Sequence, residues 1–99
     1  MARPAGSAAH HIVAGNAPAA ARARAVLERF GIGVNDAANG VFLPASRATP
    51  NAAGAAVHST LHTSAYYQTV NQMLLGATTR AEAEAALGAI RQALLSGGL

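Results

Sequence analysis

Cysteine, lysine and tryptophan are all absent from this 99-residue chain. Without cysteine there can be no disulfide framework and no cysteine-ligated zinc site. Without lysine, all seven basic residues are arginine, set against only four acidic residues for a net charge of +3. Aromatic residues are scarce, at 4% of the chain: Phe30, Phe42, Tyr66 and Tyr67. No apolar run approaches the roughly 18 residues that a membrane-spanning helix needs. Residues 1–9 contain no apolar core of a signal peptide, so a secretory leader is not expected there. Residues 1–8 read as a flexible lead-in and residues 9–99 as a single domain.

Hydrophobic residues make up 52% of the chain, but much of that is alanine. Alanine buries little surface per residue and is the best helix former. A mainly helical chain with a modest core is therefore expected, and a bound metal or partner chain would help to stabilise it. The arginine bias has two readings. One is the codon bias of a GC-rich genome. The other is phosphate recognition, since a guanidinium grips phosphate oxygens in a bidentate fashion.

Residues 9–14 (AHHIVA) read as a short strand broken by Gly15 and Asn16. Asn16 is a candidate cap, and Pro18 suits the first turn, of a helix over residues 17–30 that stops at Gly31. Asn39-Gly40 is a turn signal, followed by a second short strand, Val41–Leu43, ended by Pro44. After a loop rich in proline, alanine and glycine, a helix is expected from residue 57 or 58 to residue 75. Thr79 and Glu82 form a capping box that opens a last helix, with Ala83, Leu87, Ile90 and Leu94 inward. The fold class is α+β, mainly helical: two short strands with a helix inserted between them, a ligand-bearing helix, and a C-terminal helix.

What the chain does contain is four histidines in two pairs. His10 and His11 are adjacent on the first strand. His58 and His62 are four apart, on one face if that segment is helical. Histidine is the commonest metal ligand and a general base suited to neutral pH. Successive strand residues point to opposite faces, so His10 and His11 do not easily share an ion. One should face the metal and the other the attacking water, and alternation alone does not say which. Imidazole nitrogens favour a transition metal over magnesium.

In order and content these pieces resemble the HNH, or ββα-metal, nucleases. Ala9-His10-His11 with Ile12-Val13, Gly31-Ile32, the block Asn35–Pro44 (NDAANGVFLP), His58–Tyr67 (HSTLHTSAYY) and Val70-Asn71 look like the AHH family. That branch serves as nuclease domains at the C-termini of bacterial polymorphic toxins. The resemblance spans about residues 8–75, and its most specific part is Asn35–Pro44. The zincin motif is excluded, because Ser59 stands where its glutamate would be.

The resemblance implies a metal-dependent phosphodiester hydrolase with an endonuclease VII-like ββα-metal core. It implies His10, His58 and His62 as ligands of one divalent ion (zinc, nickel, magnesium or manganese) and His11 as the general base. Asn39 matches the central asparagine, which in the family fixes the loop and orients the base; a plain turn residue is the other reading. The expected substrate is DNA, chiefly double-stranded. The expected partner is a cognate immunity protein, and the expected setting is a larger toxin, secreted or injected, acting in the cytoplasm of a target cell. RNA cleavage by the same site, or an inactive nucleic-acid- or partner-binding ββα module, are the alternatives.

Of the arginines, Arg47 is the first choice for phosphate, because its loop should edge the site; Arg22, Arg24 and Arg29 are further candidates. Arg80 and Arg91 read as solvated surface, Tyr66 and Tyr67 as core packing ahead of base stacking, and Asp36 as a loop or cap residue ahead of a metal ligand.

Overall fold

In a computed structural model, which describes residues 3–99, two short strands bring the ends of the AHH-like segment together. Strand β1 (Ser7–His11) pairs antiparallel with β2 (Gly40–Pro44), with His10 opposite Val41 and His11 opposite Gly40. The ladder begins earlier than the sequence suggests, because Ser7 and Ala8 pair with Pro44 and Leu43. It also ends earlier. Ile12 and Val13 leave the ladder and are fully buried as core residues beyond it.

The segment between the strands carries a 3₁₀ turn (Pro18–Ala20), helix α1 (Ala21–Arg29) and a second 3₁₀ turn (Ala37–Asn39). The expected cap at Asn16 does not form. Ala17 starts the first turn, and no side chain there accepts a bond. The service comes instead from helix α2 (Ser64–Leu75). Asn71 accepts the Ala23 N–H at 3.0 Å and donates to the Ala19 carbonyl at 2.8 Å. A helix start left with free N–H groups needs such a partner, and here tertiary packing provides it.

Helix α3 (Arg80–Leu95) is capped as its sequence predicts: Thr79 Oγ1 accepts from the Glu82 N–H at 3.1 Å. The returning glutamate reaches one residue further than a standard box, to the N–H and hydroxyl of Thr78. Leu87, Ile90 and Leu94 of α3 join Ile12, Val13, Leu27, Leu43 and Leu74 in one fully or almost fully buried core.

Two arginines expected at the solvated surface are structural. Arg91 of α3 donates to the carbonyls of Ala37, Ala38 and Gly40. Arg80 donates to the carbonyls of Phe30 and Gly31. Helix α3 lies outside the most recognisable motif, yet it clamps the loop that carries the motif's asparagines.

Candidate metal and base cluster

Strand alternation separates the first histidine pair as expected: His10 is buried and His11 is exposed. The second pair is arranged differently from the expectation. His58 opens a 3₁₀ turn (His58–Thr60), and α2 starts only at Ser64. Thr63 is extended and caps α2, its hydroxyl accepting from the Tyr66 N–H at 3.2 Å. Threonine is a better cap than a helix interior residue. The helix therefore cannot run back through His62. His58 and His62 are not neighbours on a helical face; a turn and an extended link bring their ring centroids to 5.2 Å.

All four histidines, with Tyr66 and Tyr67, line one cleft of about 130 Å³. At its base, Nδ1 of His10 lies 3.1 Å from Nδ1 of His58. The other face of His10 is settled by Tyr66. The Tyr66 hydroxyl donates to the Ile12 carbonyl at 2.8 Å, and His10 Nε2 lies 2.8 Å from the same oxygen. A carbonyl only accepts, so the hydroxyl proton is committed to it. His10 must then supply its own proton from Nε2, which leaves a lone pair on Nδ1. Burial, followed by the charges of His58, His62 and His11, pushes the His10 pKa down to about 4. Burial and the same kind of crowding by His62 and His11 lower that of His58. Both rings thus stay neutral at neutral pH, the form that ligates a metal.

These donors suit a metal ion. Two nitrogens 3.1 Å apart have roughly the spacing of neighbouring ligands on one tetrahedral ion with metal–nitrogen bonds of about 2.0–2.1 Å. As it stands, the contact is a hydrogen bond from His58 to His10, and His58 frees its Nδ1 by carrying its proton on Nε2. His62 stands further out, with ring centroids 6.5 Å from His10, and its Nδ1 is 3.3 Å from the Tyr67 hydroxyl. With Nδ1–H donated to that oxygen, Nε2 is the nitrogen left for a metal. Among the described residues, no three metal-ligating side chains already form a closed set. The preorganised part of the cluster is His10 with His58, and the His62 ring stands 5.2 Å from that of His58 between centroids.

Tyr66 has a second place in the cluster beyond core packing. It is buried, and its hydroxyl also links His10 to the backbone. Burial pushes its own pKa up, so the hydroxyl keeps its proton and holds the arrangement. Only the position of Tyr66, four residues after His62, hinted at this.

Asn39 is fully buried. Its Oδ1 accepts from Val13 N–H at 2.8 Å, and its Nδ2 donates to the carbonyls of Val13 and Val34 at 3.1 and 2.8 Å. These bonds tie the loop to Val13. No side-chain hydrogen bond joins Asn39 to His11 among the described residues; the partner of His11 Nε2 is Asn35 Oδ1, at 2.8 Å.

Beside the histidine cleft runs an open groove of about 660 Å³, lined by Ser46, Arg47, Ser59, Thr60, His62 and Thr63. His62 belongs to both. Arg47 is exposed and lines this groove. Arg24, by contrast, is spent on the carbonyls of Ala14 and Ala17 at 2.8 and 2.7 Å.

Comparison with known proteins adds one finding. A family model described as a nuclease family of the HNH/ENDO VII superfamily with conserved AHH matches residues 1–95. No curated protein and no solved structure matches the chain.

Proposed function

Because the chain belongs to the AHH nuclease family of the HNH/ENDO VII superfamily, we propose that it is a metal-dependent endonuclease that hydrolyses DNA. The observation that carries this reading is the convergence of two neutral histidines on one point, with an exposed histidine beside them. His10, His58 and His62 would hold one divalent ion. When bound there, such an ion would act as a Lewis acid, offsetting the negative charge that builds on the phosphate during hydrolysis.

The remaining work falls to the chain's own groups. His11 takes the proton of the attacking water, because it lies on the opposite strand face from His10 and is open to solvent. Arg47 holds a phosphate of the substrate backbone in the groove that shares His62. The hydroxyls of Ser59 and Thr63 offer further donors there, while that of Thr60 is spent on the Val57 carbonyl. Asn39 keeps the strand ends and the loop in register.

The cluster, not the charge, favours an enzyme over a binding module. Arg24, Arg80 and Arg91 are engaged on backbone carbonyls. Few guanidiniums remain to neutralise phosphates, and phosphate contacts dominate nucleic-acid affinity. A toxin role, delivery from a producing bacterium into a target-cell cytoplasm and a neutralising immunity protein accompany this reading by family resemblance. Among the described residues, no helix is long and apolar enough to cross a membrane.

Incubation of the purified chain with plasmid DNA and with RNA, across zinc, nickel, manganese and magnesium, tests the proposal. Cleavage of DNA that EDTA abolishes and added metal restores is the expected result. Cleavage of RNA alone would overturn the substrate, and full activity in EDTA would overturn metal dependence.

Tyr66→Phe tests how the ligand is held. It leaves the ring in the core but strips the partner from His10 Nε2–H and from the Ile12 carbonyl. Loss of such an outer partner typically costs about 10–100-fold in metal affinity. Calorimetric titration with zinc should show a loss in that range, and an unchanged affinity would rule out the tyrosine as the anchor.

A further inference from the structure

We propose that Asn35 is the positioning residue of the base: it holds the His11 ring and makes Nδ1 the nitrogen that accepts the proton. This rests on the reading of His11 as the base and adds to it.

The asparagine aligned with the family motif is not available for the task. Both donors of the Asn39 amide are committed to the Val13 and Val34 carbonyls, and its oxygen accepts from Val13 N–H. It is wholly buried beneath the loop. Asn35 is exposed, and its Oδ1 lies 2.8 Å from His11 Nε2. An amide oxygen has no proton to give, so Nε2 carries the proton and Nδ1 carries the lone pair.

A ring at the exposed end of a strand has little packing to select one rotamer. A hydrogen bond to a rigid partner supplies that selection, and the loop around Asn35 is rigid. Asp36 Oδ2 accepts the Gly33 N–H at 2.7 Å, and the Gly33 carbonyl accepts the Asp36 N–H at 3.0 Å. Asn39 N–H closes the next turn onto the Asp36 carbonyl at 2.9 Å. Arg91 holds the Ala37 and Ala38 carbonyls from α3. Asn35 is therefore presented from a turn braced on both sides. Its position four residues before Asn39 also gives the two asparagines separate jobs: one secures the backbone, the other aims the base.

The test compares Asn35→Ala, Asn35→Asp and His11→Ala in the full chain, with plasmid-cleavage kinetics, zinc titration and ¹⁵N spectra of labelled histidine. In the wild type, His11 should show a protonated Nε2 and a bare Nδ1. In Asn35→Ala that signature should give way to a mixture of tautomers. Its kcat should fall about tenfold, within the contribution of a positioned base, while KM and zinc affinity stay as in the wild type. Asn35→Asp keeps an acceptor oxygen at the same place and should restore both the tautomer and most of the rate. A protonated Nδ1 in the wild type, or an Asn35→Ala protein with wild-type kcat beside an inactive His11→Ala, would overturn the role of Asn35 and leave the base in place. A His11→Ala protein that cleaves at the wild-type rate would bring down the base and the positioning role together.

Discussion

His11→Ala should lower the rate of DNA cleavage by about 10²–10⁴-fold, the usual contribution of a positioned general base, while zinc affinity stays close to that of the wild type. Both halves of the expectation come from β1. His10 points into the core and His11 to solvent, so removing the outer ring leaves the inner nitrogens, 3.1 Å apart, undisturbed. The exposed position also means that no buried partner loses its hydrogen bond and that the fold should be unaffected. Plasmid-cleavage kinetics beside a calorimetric zinc titration separate the outcomes. A loss of rate with retained metal supports the base. A parallel loss of both would make His11 a ligand instead, and undiminished cleavage would remove it from the mechanism.

Asn39→Ala should have the opposite profile, acting on the fold before it acts on the chemistry. The side chain satisfies the N–H and the carbonyl of Val13, a fully buried residue, and also the carbonyl of Val34. Leaving a buried backbone group without a partner costs about 1–3 kcal/mol. With both Val13 groups affected, a loss of about 3–5 kcal/mol is expected on this basis. For a domain of this size that lowers the melting temperature by roughly 15 °C or more. Thermal denaturation followed by circular dichroism measures it. A melting point within a few degrees of the wild type would mean that water replaces the amide and that the loop does not depend on it. Asn39→Asp keeps the acceptor but turns the donor end into a buried carboxylate oxygen facing two carbonyls, so it should be at least as destabilising as Asn39→Ala.

The contrast between the two asparagines shows what could be read in advance. Asn35–Pro44 was the most specific block in the chain, and it does surround the site. Its internal division was hidden. Both residues are asparagine, both lie near a turn, and their different roles follow from burial, which depends on how Val13 and α3 pack around them. The histidine helix is a second instance. A spacing of four residues fits a helical face, yet Thr63 starts the helix after His62 and the pair converges through a turn. The capping preference of Thr63 was present in the sequence, but the histidine spacing offered a competing pattern. The arginines are a third: Arg24 reads from sequence as a candidate for phosphate and Arg91 as solvated surface, and only the folded chain shows both already holding backbone carbonyls.

By itself, the sequence determined the strand–helix–strand–helix order, the pairing of four histidines, the split of His10 from His11 and membership of a nuclease family. These depend on periodicity, turn residues and motif order, which are local along the chain. The tertiary structure alone decided which asparagine meets His11, how Tyr66 assigns the proton of His10, how His58 reaches His10 across 48 positions, and which arginines are engaged on backbone carbonyls. Each of these is a contact between segments distant in sequence. A hydrogen bond formed there depends on burial and direction, and neither is encoded in the spacing of residues.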